Sequence, residues 1–198
     1  MSGRNSVTVL IPIYGHDLKR WIDLAMIAKE SVDAQTVQPE HCLVLIGKDI
    51  TECRNNALAF RTEFTIFLDA DDTLHPTYIE EMLKGTADIR VPSVHRHYQD
   101  GRIDTDQHWY QPKDLMTGNY IVVSAMIRTS LFKQLGGFHD YETLEDWDLW
   151  LRAEEAGATF EQIPEATLHV NKRVGSRNSN KSMPLILENA RKRRSIKS

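Results

Sequence analysis

The run Phe64-Thr65-Ile66-Phe67-Leu68 leads straight into Asp69-Ala70-Asp71-Asp72. Five mostly apolar residues with an aromatic and β-branched bias read as a buried strand. Three carboxylates in the next four positions are too charged to stay buried, and they repel one another unless a cation or a set of donors compensates them. A hard divalent ion such as Mg²⁺ or Mn²⁺ takes oxygen ligands of this kind. In open α/β sheets, ligands bind outside the carboxyl ends of the strands. The stretch therefore predicts a sheet whose strand ends open on an acidic site. The competing reading is a turn in which Asp72 caps the next helix. A cap accounts for one aspartate and leaves two, so we assign Asp72 to a cap and the other two to the site.

Around this stretch the hydrophobic period alternates. Residues 7–12 read as a buried first strand ended by Pro12. Leu18, Ile22, Ala25, Met26 and Val32 recur at helical spacing up to about residue 35. Residues 42–46 predict a second buried strand, and Thr51 caps a short helix reaching about residue 60. Residues 62–68 form the third strand. A helix starting at Thr73 or Pro76 stops at Gly85, and residues 87–92 read as a fourth strand. This order predicts parallel strands with helices on both faces. The second half differs. A polar hairpin spans 94–105 with a type I′ signal at Asp100-Gly101. A strand at 121–127 precedes a short helix capped by Thr129 or Ser130 and closed by Gly136-Gly137. A helix over 145–156 ends at Gly157. Two short strands are expected near 159–163 and 166–170, then a polar, basic loop over 171–182 and a last helix from Pro184.

At 198 residues the chain suffices for one well-buried core. Its net charge of −4 offers no general argument for nucleic acid. Cys42 and Cys53 are not in metal spacing, and two thiols in such a chain point to a reducing compartment. The apolar run near the N-terminus is too short for a signal peptide, and no stretch has the ~18 apolar residues of a membrane span. A soluble cytoplasmic protein is expected. Arg191, Lys192, Arg193, Arg194 and Lys197 crowd the last eight residues. They read as a solvated helix face, with weak contact to an anionic surface as the alternative.

Two further motifs accompany the acidic strand end. Arg54-Asn55 by itself is a polar helix segment. Glu145-Asp146-Trp147-Asp148-Leu149-Trp150-Leu151-Arg152 places carboxylates at a helix start, which the helix dipole favours. Its two tryptophans need packing, which would bury that helix start and give one carboxylate the surroundings of a general base.

Taken together, Val9-Leu10-Ile11-Pro12-Ile13-Tyr14, Arg54-Asn55, Phe67-Leu68-Asp69-Ala70-Asp71-Asp72, Gly136-Gly137-Phe138 and the Glu145–Arg152 segment resemble the family 2 glycosyltransferases of the GT-A fold. The match runs in order from about residue 7 to 170. The resemblance implies a single-domain, Rossmann-like α/β fold with a mixed, mostly parallel sheet and helices on both faces. It divides residues 1–170 into a nucleotide-sugar half, 7–92, and an acceptor half, 93–170, followed by a flexible basic loop and helix over 171–198.

The resemblance also implies roles. Pro12 and Tyr14 line the nucleoside pocket, and Arg54 and Asn55 shape the donor site. Asp71 ligates the Mn²⁺ or Mg²⁺ that bridges the donor diphosphate, assisted by Asp69. Asp146 is the base that deprotonates the acceptor hydroxyl, with Glu145 as its neighbour. His169 is either a ligand of that metal or diphosphate, or a surface strand histidine. The family's acidic pair after the second strand is absent, and Asp49 takes its place. From composition alone, Lys172, Arg173, Ser176 and Arg177 are expected to form a flap over the diphosphate. His95, His97, Tyr98, His108, Trp109 and Tyr110 give the acceptor half an aromatic, polar character.

The expected partner is a nucleoside-diphosphate sugar. The acceptor, whether glycan, lipid-linked, protein or nucleic acid, is left open. No nucleophile motif for a covalent intermediate is present, so a single inverting displacement is expected. A nucleotidyltransferase is the alternative enzyme, but it would carry a glycine-rich basic loop where Pro12-Ile13-Tyr14-Gly15 stands. A non-catalytic nucleotide-sugar or glycan-binding module of the same fold is the other alternative.

Overall fold

The alternating apolar runs become strands of one sheet. A computed structural model describes residues 6–106, 115–172 and 181–196. In chain order the elements are β1 (Val7–Ile13), α1 (Leu18–Asp33), β2 (His41–Ile46), α2 (Ile50–Asn55) with a 3-10 turn at Asn56–Ala59, β3 (Phe64–Phe67), β4 (Thr73–Leu74), α3 (Tyr78–Lys84), β5 (Ile89–Tyr98), β6 (Ile103–Asp106), β7 (Met126–Arg128), α4 (Thr129–Gln134), α5 (Glu145–Glu155), β8 (Phe160–Lys172) and α6 (Met183–Ile196).

The sheet order is β2-β1-β3-β7-β5-β8-β4, with β6 on β5. β1 pairs in parallel with β2 and β3, and β5 with β8, while β7 is inserted antiparallel between β3 and β5. Five of the eight strands thus run in one direction, a mixed, mostly parallel sheet. Successive strand residues face opposite sides. Val9, Ile11 and Ile66 enter one core with Ala25, Ala28 and Val32 of α1 and Tyr78, Ile79 and Met82 of α3. Leu10 and Phe67 enter a second core with Phe132 of α4, Trp147, Leu149 and Trp150 of α5, and Ile186 and Ala190 of α6. Helices therefore cover both faces, as expected of this Rossmann-like α/β class. None of the described helices is long and apolar enough to cross a membrane.

Several local expectations change. β2 is an edge strand, only half-buried, since it pairs with β1 alone. The cap of α2 is Asp49, whose Oδ1 accepts from the Glu52 N–H at 2.7 Å, rather than Thr51. Asp72 caps no helix: β4 follows it, and α3 begins only at Tyr78. The hairpin between β5 and β6 has a three-residue loop in place of a type I′ turn. Gly101 N–H donates to Tyr98 O, and among the loop residues only Gly101 takes positive φ, at +84°. That is a type I turn followed by a left-handed residue.

The apolar run 121–127 is a strand only at its end. Ile121, Val123 and Ala125 are instead buried in loop conformation beneath α5, where Ile121 O accepts from Trp150 Nε1. An apolar run alone does not distinguish the two states. The two short strands expected after residue 158 are one long β8, whose register shifts opposite Pro92/Ser93. The irregularity falls at the 92/93 division between the two proposed halves, but β5 runs through it, just as β8 runs through 170/171.

Candidate active site

Two elements deliver carboxylates to one place. β3 ends at Phe67, and the chain turns at once, with Asp72 N–H donating to Asp69 O at 3.0 Å. The turn lies at the carboxyl end of a parallel strand, where such sheets open. α5 brings Glu145 and Asp146 in its first turn, entered through Leu144 at φ +65°. A left-handed leucine is strained backbone of the kind that collects at functional sites.

Arg54, in the last turn of α2, joins the two. Its guanidinium lies 2.6 Å from Asp69 Oδ1 and 2.5 Å from Glu145 Oε1, and the residue is 4% exposed. Burial disfavours its charge, but Asp69 and Glu145 beside it hold the guanidinium more firmly protonated than usual. The cation stacks toward the Phe138 ring at 5.5 Å.

Asp146 sits next to this ion network. Burial, then the Glu145 charge, push its carboxyl up to about 6, against the Arg54 charge, the Asn119 amide and the Trp147 backbone N–H, which pull it down. Asn119 Nδ2 donates to Asp146 Oδ1 at 3.1 Å, and Trp147 N–H donates to the same oxygen at 2.9 Å. Across the site, the end of β8 is laced to the acidic turn. Asn171 Nδ2 donates to Asp71 O at 2.7 Å, and Asn171 N–H donates to Asp72 Oδ1 at 3.2 Å. Burial and the adjacent Asp69 and Asp71 hold Asp72 well above the usual carboxylate range.

These groups share a cavity of about 380 Å³. Of the residues expected at the site, Pro12, Tyr14, Arg54, Asp69, Asp71, Glu145 and Asp146 all line it. Three others are placed elsewhere. Asp49 is occupied as the α2 cap. Asn55 Nδ2 donates to Phe138 O, and its Oδ1 accepts from Phe138 N–H, so its side chain holds the Gly136–Phe138 turn instead of lining the cavity. His169 lies between Leu168 and Val170, which pack into the first core, so its ring emerges on the other face of β8. There it meets His97 and does not line the cavity. Arg173, Ser176 and Arg177, and likewise His108, Trp109 and Tyr110, lie outside the described residues.

Asn119, Leu144, Asn171 and Lys172 also line the cavity. Lys172 was expected only as part of a flap. Asn119 follows no motif, and its position is set by α5: Trp147 Nε1 donates to Leu115 O at 2.7 Å and Trp150 Nε1 to Ile121 O at 3.1 Å, which clamps the intervening segment.

Solved structures of Staphylococcus aureus TarS, a glycosyltransferase, superpose on this chain. With TarS residues 1–349 in complex with UDP-GlcNAc, the TM-score is 0.69 at 14% identity, over 95% of this chain and 66% of that one. With the UDP complex it is 0.67 at 13% identity, over 95% and 65%. With the longer TarS structure it is 0.64 at 13% identity, over 93% and 39%. This chain shares its fold with TarS. No protein-family model matches the sequence, and no curated protein matches it. The similarity to TarS is thus one of backbone architecture.

Proposed function

We propose that this chain is a metal-dependent, inverting glycosyltransferase of GT-A type that moves a sugar from a nucleoside-diphosphate sugar to an acceptor hydroxyl. One observation carries the reading: a single cavity brings the acidic strand end of β3 and the base-like Asp146 of α5 to opposite sides of Arg54. The TarS structures with UDP and UDP-GlcNAc make UDP-sugars the first donors to try.

Three carboxylates in one turn, Asp69, Asp71 and Asp72, line the cavity and are oxygen donors of the kind a divalent cation takes. Asp71, assisted by Asp69, would hold Mn²⁺ or Mg²⁺, with the donor phosphates supplying further ligands. That cation, when bound, neutralises charge on the departing diphosphate. The protein's own groups do the rest. Pro12 and Tyr14 form the wall against the nucleoside. Arg54 fixes Asp69 and pairs with Glu145 beside the base. Asp146 takes the acceptor proton while the acceptor oxygen forms its bond to the anomeric carbon. The bond from that carbon to the diphosphate oxygen breaks in the same step, and its electron pair leaves with the diphosphate. Single displacement inverts the configuration. A carboxyl raised to about 6 is matched to this task, because it is ionised at neutral pH yet more basic than an ordinary aspartate.

The test is a thermal-shift screen of nucleoside diphosphates and their sugars with Mn²⁺, followed by turnover of the best donor. UDP with Mn²⁺ is expected to raise Tm by mass action, and Asp71→Asn to abolish the metal-dependent part of that rise. Asp146→Asn is expected to keep donor binding and lose at least 100-fold in turnover. Undiminished nucleoside-diphosphate release by Asp146→Asn would remove Asp146 from the mechanism.

A further inference from the structure

A second group of ligand-type side chains lies on β5 and β8, outside the residues that line the cavity. His95 of β5 stands directly across the parallel ladder from His169 of β8. His97, two residues on, shares the face of His95. His97 Nε2 and His169 Nδ1 are 2.9 Å apart, sharing one imidazole proton. The rings of His95 and His97 centre 5.6 and 5.1 Å from that of His169. His75, between β4 and α3, adds a ring at 6.2 Å, with its Nδ1 engaged by the Thr77 hydroxyl. Half of the eight histidines in the chain therefore meet at one spot.

We propose that His95, His97 and His169 form a site for a borderline transition-metal cation, Zn²⁺ first, separate from the donor diphosphate. An all-imidazole set excludes Mg²⁺ and Ca²⁺, which take oxygen, and suits Zn²⁺. With Zn–N bonds of about 2.0–2.1 Å, two imidazole nitrogens on one tetrahedral ion lie about 3.4 Å apart, so the His97–His169 pair needs only a small opening to admit it. No three ligand-type side chains among the described residues already converge on one point. The His97 and His169 nitrogens already face each other, and the His95 ring, centred 5.6 Å from that of His169, would have to turn to supply the third. On binding, whichever of His97 and His169 donates the shared proton changes tautomer, and both facing nitrogens are left bare. The ion would staple β5 to β8 two residues before Asn171 reaches the acidic turn.

The site is independent of the glycosyltransferase reading, and the experiment separates them. Untagged protein is stripped with a chelator and titrated with Zn²⁺ by calorimetry, then with Co²⁺ to read the absorption of a low-coordinate, nitrogen-rich site. One ion per chain is expected. His97→Ala and His169→Ala should each weaken binding at least tenfold, and Asp71→Asn should leave it unchanged. Should His169→Ala fail to fold, His95→Ala and His97→Gln take its place, since both positions are half-exposed. Failure to bind Zn²⁺, binding indifferent to these histidines, or binding lost on Asp71→Asn would each overturn the proposal.

Discussion

Asp146 is held between opposing influences, and its behaviour is measurable. Burial and Glu145 raise its carboxyl to about 6, while Arg54, Asn119 and the Trp147 N–H restrain it. A base works only when ionised. Transfer rate (kcat/KM) is therefore expected to fall about tenfold per pH unit below about pH 6 and to level off above it. Asn119→Ala removes a hydrogen bond that favours the ionised form, so the same limb should move to higher pH, as a pH-rate profile of the variant would read out. Folding stability should respond too. The folded carboxyl binds its proton more tightly than the unfolded one, so this residue's contribution declines as pH rises from about 4 to about 6. Arg54 poses a different risk. Arg54→Met leaves the nearly buried Glu145 carboxylate without its cation and should cost about 3 kcal/mol in urea unfolding.

At the scale of elements, the candidate site depends on turns that bear none of its charged groups. Asn55 grips both backbone groups of Phe138, and Phe138 packs edge-on against Phe67, the last residue of β3. The grip requires Gly137, where an added Cβ would lie 2.5 Å from Asn55 Oδ1 at φ +80°. Its neighbour Gly136 has nearly the same φ, +78°, but open space around it. Gly136→Ala should cost only the left-handed backbone penalty, about 1 kcal/mol. Gly137→Ala should cost at least about 2 kcal/mol, because the Asn55 side chain must move as well. Thermal melts of the two variants side by side check this ordering. Equal losses would mean that Asn55 yields freely and holds nothing in place.

Across the whole molecule, the basic C-terminal helix belongs to the body of the fold. Ile186 and Ala190 of α6 are fully buried in the second core. Arg193 pairs with Glu155 at 2.6 Å and reaches Asp148, and Arg194 pairs with Glu154 at 2.6 Å. Arg193 and Arg194 thus face α5, the helix that carries Asp146, while Arg191 and Lys192 remain on the exposed side. Deleting residues 183–196 is expected to lower Tm by about 5–10 °C, since burial of one isoleucine contributes about 2–3 kcal/mol. Raising salt to 1 M should shift Tm much less, because the apolar contacts persist when the ion pairs are screened.

Much of this was legible in the chain. The alternation of apolar runs set an α/β sheet with helices on both faces, because burial periodicity is a local property of sequence. The acidic end of β3 and the Glu145-Asp146 helix start were legible because charges that costly to bury advertise a site, whereas Arg54 entered only through the family resemblance. What the sequence could not decide was which way side chains turn and what meets across the sheet. Asn55 and Asp49 look like ligand-binding residues in one dimension and prove to be engaged with backbone. His169 lies one residue from the cavity wall, yet its ring meets three other histidines and does not line the cavity. Asn119 gives no local signal, because Trp147 and Trp150 hold its segment in place through contacts about thirty positions away in the chain. Such long-range contacts depend on the packed sheet, and only the tertiary structure holds them.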